Sequence, residues 1–140
     1  MAPWHDGPAV LRTGAAPGDL PRGVPQEIPP EIPLEIPLEI AASYRARTRG
    51  LLGRDGIDGA MLLTPAASVH TFRMRFAIDV AYLDRRLRVL AVVTMPPGRL
   101  GLPRLRARHV LEAAAGSMAG WGLRPGAVVE VHPGGRLTRG

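Results

Sequence analysis

Several residue types and patterns are missing from this chain of 140 residues, and each absence narrows the chemistry open to it. Cysteine does not occur, which excludes disulfides, thiol nucleophiles, iron–sulfur clusters and thiolate zinc sites. Aromatic residues make up 4% of the chain, too few for a platform on which nucleic-acid bases could stack. The sequence contains neither an apolar run of about 18 residues nor the apolar region of a secretory signal. We therefore expect a cytoplasmic protein with no membrane partner.

Lysine is also missing, so all 18 basic residues are arginine, and their distribution is uneven. Residues 1–40 hold two arginines against six acids, whereas residues 41–140 hold sixteen against six. A body of charge +10 could attract nucleic acid or acidic ligands over long range. The alternative is a GC-rich genome, whose codon usage favours arginine. The candidate basic patch comprises Arg99, Arg104, Arg106 and Arg108.

The first 37 residues are rich in proline and glycine and lack a periodic apolar face, which predicts a disordered leader. From Glu27 the chain repeats a tetrapeptide, EIPP, EIPL, EIPL, in which the prolines exclude a helix. The repeat could be a semi-rigid spacer or docking peptide, a slipped-repeat linker, or residues upstream of the true start. Its last copies alternate apolar and polar residues, so they could form an edge strand with Pro37 on the open side.

Residues 38–132 are predicted to form one β-rich domain, followed by a flexible tail over residues 133–140. Apolar residues at even positions from Phe72 to Tyr82 predict a long strand, Val69 to Leu83, bulged or bent near residues 73–77. A turn at residues 84–86 makes it a hairpin with residues 87–94. Further strands are predicted over residues 60–63, 109–112 and 127–131. A helix is predicted over residues 44–52 with Ser43 as its cap, and a single helical turn through Trp121 with Ser117 as its cap. The expected fold is mainly β, a compact twisted sheet or small barrel with one or two short helices.

Four segments together resemble a widespread prokaryotic family, the domain of unknown function 192. They are R-x-R-G-L-L-G-R at residues 47–54, G-x-M-L-L at 59–63, S-V-H-T-F-x-M-R-F-x-I-D-V at 68–80 and V-L-E-x-x-x-G at 110–116. The resemblance covers roughly residues 38–131 and implies a compact β-rich domain with no established activity.

The chain departs from the family pattern at four positions. Arg73 and Leu87 replace glycines, Ala77 replaces a proline, and Ala127 stands after Gly126 where an aspartate is usual. If a site of the family used that acid, this protein would lack it.

The polar residues that could form a site are Arg47, His70, Thr71, Arg75 and Asp79. On an unbroken strand His70 faces the apolar side, while Arg75 and Asp79 share the other side about 13 Å apart, so the three meet only if the strand is bulged. Such a cluster could bind a small anion through the arginine fork and the imidazole. Alternatively, His70 makes a core hydrogen bond and Asp79 pairs with an arginine such as Arg47.

The remaining candidates for chemistry are weak. The four histidines lack metal-ligand spacing, so we expect no metal and no cofactor. Ser43, Ser68 and Ser117 stand outside any nucleophile elbow, and the carboxylates form no recognisable pair, so a hydrolase has no positive support. Three hypotheses follow. The first is a non-catalytic accessory or ligand-binding domain with an anion pocket near His70 and Arg75. The others are a nucleic-acid-associated basic protein and an enzyme of unidentified reaction.

Overall fold

The computed structural model describes residues 4–14 and 34–134, which build a mixed seven-stranded sheet with two short helices. The strands are β1 (Gly7–Thr13), β2 (Leu34–Ala41), β3 (Ala60–Leu63), β4 (Ile78–Leu83), β5 (Val89–Met95), β6 (His109–Ala114) and β7 (Glu130–Pro133). The helices are α1 (Tyr44–Arg49) and α2 (Ser117–Gly120). Their order across the sheet is β5-β4-β6-β3-β2-β1-β7. The predicted mainly β fold is confirmed.

All but one of the neighbouring strand pairs are antiparallel. The exception is β2 with β3, a parallel pair whose connection contains α1. The sheet is not closed into a barrel, since β5 and β7 lie at its two ends. The segment that precedes β7 nevertheless contacts β5 and the residues just before it. The Val129 amide donates to the Leu87 carbonyl, and the Gly126 amide donates to the Val89 carbonyl.

Alternation along the strands places an apolar core on each face of the sheet. Ala81 and Leu83 of β4 pack into the first core, together with Met118 of α2. Ile78, Val80 and Tyr82 of the same strand pack into the second core, with Leu51 after α1. Because both faces are covered, every residue of β4 is buried, including Asp79.

The predicted leader needs correction where the structure describes it. Gly7–Thr13 forms β1, which lies between β2 and β7 and contributes Ala9 and Leu11 to the first core. The short pattern Ala9, Leu11, Thr13 is strand periodicity, but the surrounding prolines and glycines obscure it. Most of the tetrapeptide repeat and the tail beyond residue 134 lie outside the described residues.

The end of the repeat is a strand, as its alternation allows, but β2 is internal and begins at Leu34, ahead of the predicted domain boundary. Pro37 is tolerated there for a local reason. Gly59 immediately precedes β3, and a Cβ added to it would clash with the Pro37 carbonyl oxygen. The backbone of Pro37 therefore faces β3. Pairing with β3 begins only at Leu38, and the missing N–H of Pro37 therefore costs no ladder bond.

The long strand predicted from Val69 is shorter than its periodicity suggests. β4 begins at Ile78, and the preceding segment turns at Arg73, whose φ is +62°. Residues 69–71 instead bond to the loop after β5, through Gly101 N–H to Val69 O and Thr71 N–H to Arg99 O. The bend expected near residues 73–77 is thus confirmed, as is the hairpin of β4 with β5.

The short helices and the last strand differ in detail from prediction. Ser43 caps α1 by accepting a hydrogen bond from Ala46 N–H at 3.1 Å, but α1 ends at Arg49. Ser117 lies inside α2, whose N-cap is Gly116 in the left-handed region. The strand expected over residues 127–131 is found as Glu130–Pro133. Across residues 4–14 and 34–134, no helix is both long and apolar enough to cross a membrane.

Candidate ligand pocket

A cavity of about 280 Å³ lies on the second-core side of the sheet, between α1 and residues 65–70 after β3. Leu51, Leu63, Val69 and Met74 supply apolar lining. The ionisable side chains in its wall are those of Arg47, His70 and Glu112, in addition to Tyr44 and Arg49 of α1. A mainly apolar cavity with a few convergent polar groups is the usual form of a small-molecule site.

Arg47 reaches this cavity from α1, and its guanidinium is only partly satisfied. Nη1 donates to the carbonyl oxygen of Pro65 at 3.0 Å, which holds the side chain against the wall. Nε is buried and has no hydrogen-bond partner among residues 4–14 and 34–134. A buried donor without an acceptor costs free energy, and most for a charged group. An acceptor placed in the cavity would remove that cost.

Glu112 projects from β6 toward the same cavity and is 4% exposed. Its neighbours across the sheet are Met61 of β3 and Val80 of β4, both apolar. Burial raises the pKa of the Glu112 carboxyl from 4.5 to about 7. Near neutral pH the carboxyl is therefore present in both protonated and ionised forms. Glu112 is not among the predicted site residues, although a carboxylate on the apolar face of the predicted strand indicates a buried acid.

His70 lies at the rim of the cavity with its ring exposed. The imidazole stacks on Phe72, with ring centroids 5.2 Å apart and an interplanar angle of 22°. Its backbone forms an isolated bridge with Leu100. The core hydrogen bond proposed as an alternative for His70 is therefore wrong, and the ring is available to a ligand.

The other predicted site residues lie elsewhere, so the cluster of His70, Arg75 and Asp79 does not form. Arg75 points outward and pairs with Asp55 at 3.1 Å, in an exposed ion pair. Asp79 faces the first core, where its carboxylate accepts hydrogen bonds from Thr94 Oγ1 at 2.6 Å and Met118 N–H at 3.1 Å. These partners are not the arginine expected as the structural alternative.

Thr71 is fully buried and has a structural role. Its hydroxyl donates to the Pro96 carbonyl at 2.7 Å and accepts from the Arg99 N–H at 2.8 Å. It therefore ties residues 69–71 to the loop after β5. Of the predicted set, only Arg47 and His70 line the cavity.

The predicted basic patch lies outside this cavity. Arg106 and Arg108 line a second, more polar depression of about 550 Å³ together with three arginines of the β4–β5 turn. Arg104 lies over the ring of Tyr82, 4.8 Å from its centroid. Within the described part of the chain, no group of three or more histidines or carboxylates is placed to hold a metal ion.

Comparison with known proteins gives consistent family and fold matches. The family model of domain of unknown function 192, described as "Uncharacterized ACR", matches residues 28–131. A UPF0127 protein of Pyrococcus horikoshii is 35% identical over 81 residues, which is 54% of this chain and 70% of the relative.

Two solved structures share the fold at low sequence identity. A protein of unknown function from Novosphingobium aromaticivorans has a TM-score of 0.66 at 21% identity, covering 87% of this chain and 83% of that one. A candidate transcription regulator from Sinorhizobium meliloti has a TM-score of 0.71 at 16% identity, covering 93% and 98%. At these identities the likeness concerns the fold alone.

Proposed function

This chain belongs to the family of domain of unknown function 192, and we propose that it is a small ligand-binding domain whose cavity takes a small anion between Arg47 and His70. The observation that carries the proposal is the buried Nε of Arg47, which lacks an acceptor in the wall of the cavity. A carboxylate or phosphate oxygen would supply that acceptor, with the exposed His70 ring as a second donor. The volume of about 280 Å³ suits a ligand of a few heavy atoms.

Glu112 would adjust the charge of the cavity to its ligand. With a pKa of about 7, the carboxyl is largely protonated in mildly acidic solution and then presents a hydrogen-bond donor instead of a negative charge. Anion binding and protonation of Glu112 would therefore favour each other. We expect anions to bind more tightly below neutral pH than above it.

An enzyme is the second candidate, because Glu112 and His70 supply the two titratable groups that acid–base chemistry needs as a minimum. Non-catalytic binding is favoured because a general base is normally oriented by a hydrogen bond. Burial alone accounts for the raised pKa of the Glu112 carboxyl, with no contribution from a hydrogen bond among the described residues.

The proposal is tested by titrating the ¹⁵N-labelled full-length chain with inorganic phosphate, and separately with acetate, while observing arginine Nε–Hε resonances by NMR. We expect the Arg47 resonance to move and to yield a dissociation constant. Arg47→Gln should weaken that affinity by roughly tenfold or more, the usual size of a hydrogen bond to a charged group.

Arg45→Gln is the matched control, since Arg45 lies on the same helix, is exposed and does not line the cavity. Equal weakening by the two substitutions would indicate a general charge effect. That result, or an Arg47 resonance unmoved by either anion, would contradict the proposal.

The cytoplasmic location expected from the sequence is part of this proposal. A small-anion binder of this kind would meet its ligand among soluble metabolites. Fractionation of cells that express a tagged chain tests the location directly.

A further inference from the structure

The loop between β5 and β6 presents three leucines to solvent. Leu100 is 67% exposed, Leu102 is 77% exposed and Leu105 is 96% exposed. Isolated exposed leucines are common on protein surfaces, but here three within six residues form an apolar group on one loop. Phe72, which is 46% exposed, extends this apolar group through its stacking on His70, the bridge partner of Leu100.

The leucines are held outward by a loop that is fixed to the body of the domain. Backbone hydrogen bonds join Arg99 to Thr71, Gly101 to Val69 and Arg104 to Ala67, at 2.7–3.0 Å. Gly101 lies so close that an added Cβ would be 2.6 Å from the Tyr82 hydroxyl. The exposed leucines alternate with, or follow, these anchored positions. The apolar side chains therefore project from a loop whose backbone is held in place by hydrogen bonds.

Arginines accompany the leucines on this loop, and one of the leucines, Leu105, shares a depression with five arginines. Seven exposed arginines lie on this loop or on the β4–β5 turn beside it, namely Arg85, Arg86, Arg88, Arg99, Arg104, Arg106 and Arg108. Asp84 is the one acid lining the shared depression, and its carboxylate accepts hydrogen bonds from the Arg86 and Arg88 amides. No ion pair among the described residues involves any of the seven.

We propose that this leucine–arginine surface, formed by the three leucines and seven arginines above, docks on the anionic surface of a lipid bilayer. Projecting leucines would enter the headgroup region while arginines of the same surface meet lipid phosphates. Each basic side chain near an anionic leaflet adds attraction, and each buried leucine adds the hydrophobic contribution that arginines alone lack. Such contact requires no membrane-spanning segment.

A nucleic-acid backbone also complements seven arginines, but it leaves the leucines unexplained. Phosphate contacts use charge and hydrogen bonds, and bound bases stack on aromatic rings. Here Tyr82 is buried beneath Arg104, the exposed Phe72 ring stacks on His70, and the leucines between the arginines are aliphatic. An anionic bilayer surface accounts for both the exposed leucines and the arginines.

Sedimentation of the full-length chain with phosphatidylcholine vesicles, with and without phosphatidylglycerol, tests the proposal. We expect binding that requires phosphatidylglycerol. The double substitution Leu102→Ser/Leu105→Ser should weaken it by roughly tenfold or more, because two apolar side chains are lost from the headgroup region. Arg86→Gln/Arg106→Gln should also weaken it and reduce its dependence on salt.

The matched controls are Leu34→Ser and Arg45→Gln, which alter exposed residues outside this surface and should bind vesicles as the parent chain does. Thermal unfolding of each variant separates loss of binding from loss of fold. No binding to phosphatidylglycerol vesicles would overturn the proposal. Vesicle binding that the leucine substitutions leave unchanged would also overturn it, as would salt-dependent binding to duplex DNA in its place.

Discussion

At the residue scale, Glu112 makes the stability of the domain depend on pH. Its pKa is about 7 in the folded chain and 4.5 as the ordinary value, so between these pH values the folded state keeps a proton that the unfolded state releases. Stability conferred by a protonated buried acid is therefore greatest below pH 4.5 and falls until about pH 7. This difference between the two pKa values corresponds to about 3 kcal/mol in the free energy of unfolding over the whole titration.

Glu112→Gln removes this titration while keeping the size of the side chain. We expect the free energy of unfolding of the parent chain to fall by about 2.5 kcal/mol more than that of the variant between about pH 5 and about pH 8. Urea unfolding at the two pH values measures both. Burial lowers the pKa of His109 and acts in the opposite direction, but it is common to both proteins and cancels in the comparison. Parallel pH profiles would show that Glu112 is not buried as described.

Two departures from the family pattern also matter at this scale. Arg73 has a φ of +62° and Leu87 a φ of +63°, the left-handed region that glycine adopts at least cost. Arg73 and Leu87 stand where the family has glycine. The resemblance therefore located strained positions that periodicity alone did not, and at Arg73 the strain marks the bend that ends the predicted long strand.

Arg73→Gly tests that strain. Arg73 is exposed, so the substitution loses little packing, and we expect it to raise the free energy of unfolding by about 0.5–1 kcal/mol. Arg85→Gly, in the β4–β5 turn but without a positive φ, should lower it by a similar amount because glycine adds freedom to the unfolded chain. Chemical denaturation gives both values, and a fall for Arg73→Gly would contradict the account of the bend.

At the scale of elements, β1 shows how the sequence misleads. The strand comes from a region whose composition indicates disorder, yet it pairs on both sides and buries Leu11 completely. The Asp6 side chain also accepts hydrogen bonds from the Ala42 and Ser43 amides ahead of α1. The Ser43 side chain and these amides lower the pKa of the Asp6 carboxyl. Asp6, just ahead of β1, is thus tied to the turn between β2 and α1.

Leu11→Ala should therefore behave as a core substitution, with a loss of about 2–5 kcal/mol in the free energy of unfolding. Leu34→Ala is the matched control, because Leu34 is 40% exposed at the start of β2 and should lose far less. Urea denaturation of the two variants checks the difference. Similar small losses would mean that β1 does not contribute to the cooperative unit.

Local pattern predicted the elements whose partners are near in sequence. The β4–β5 hairpin and the capped start of α1 follow from alternation, turn residues and Ser43, whereas β3 was predicted as a short apolar run although it pairs with the distant β6. The predicted cluster of His70, Arg75 and Asp79 failed because it depended on the backbone of residues 69–77. That backbone is set by hydrogen bonds to residues 96–104, a distant segment that no local rule identifies. Arg47 and His70 were found by their chemistry, whereas Glu112 needed its neighbours across the sheet.

At the scale of the whole molecule, the uneven distribution of charge along the chain produces a local basic surface. The positive charge of residues 41–140 is concentrated beside the β5–β6 loop, together with the exposed leucines. The expectation of no membrane partner rested on the lack of a long apolar run. That criterion applies to spanning segments and does not address a bilayer contact made by side chains from separate turns. The anion cavity and this surface consist of different residues, so a negative result for one proposal does not contradict the other.

The tetrapeptide that enters β2 has a consequence for how the gene can change. Its period of four is twice the two-residue period of a strand, so Ile36, Leu38 and Ile40 face the first core while Pro37 recurs at a fixed interval. Slippage during replication that adds or removes one copy shifts the strand by four residues. Every inward side chain then replaces another inward one, and proline replaces proline. Chain length can thus drift at this point over generations while the sheet stays in register.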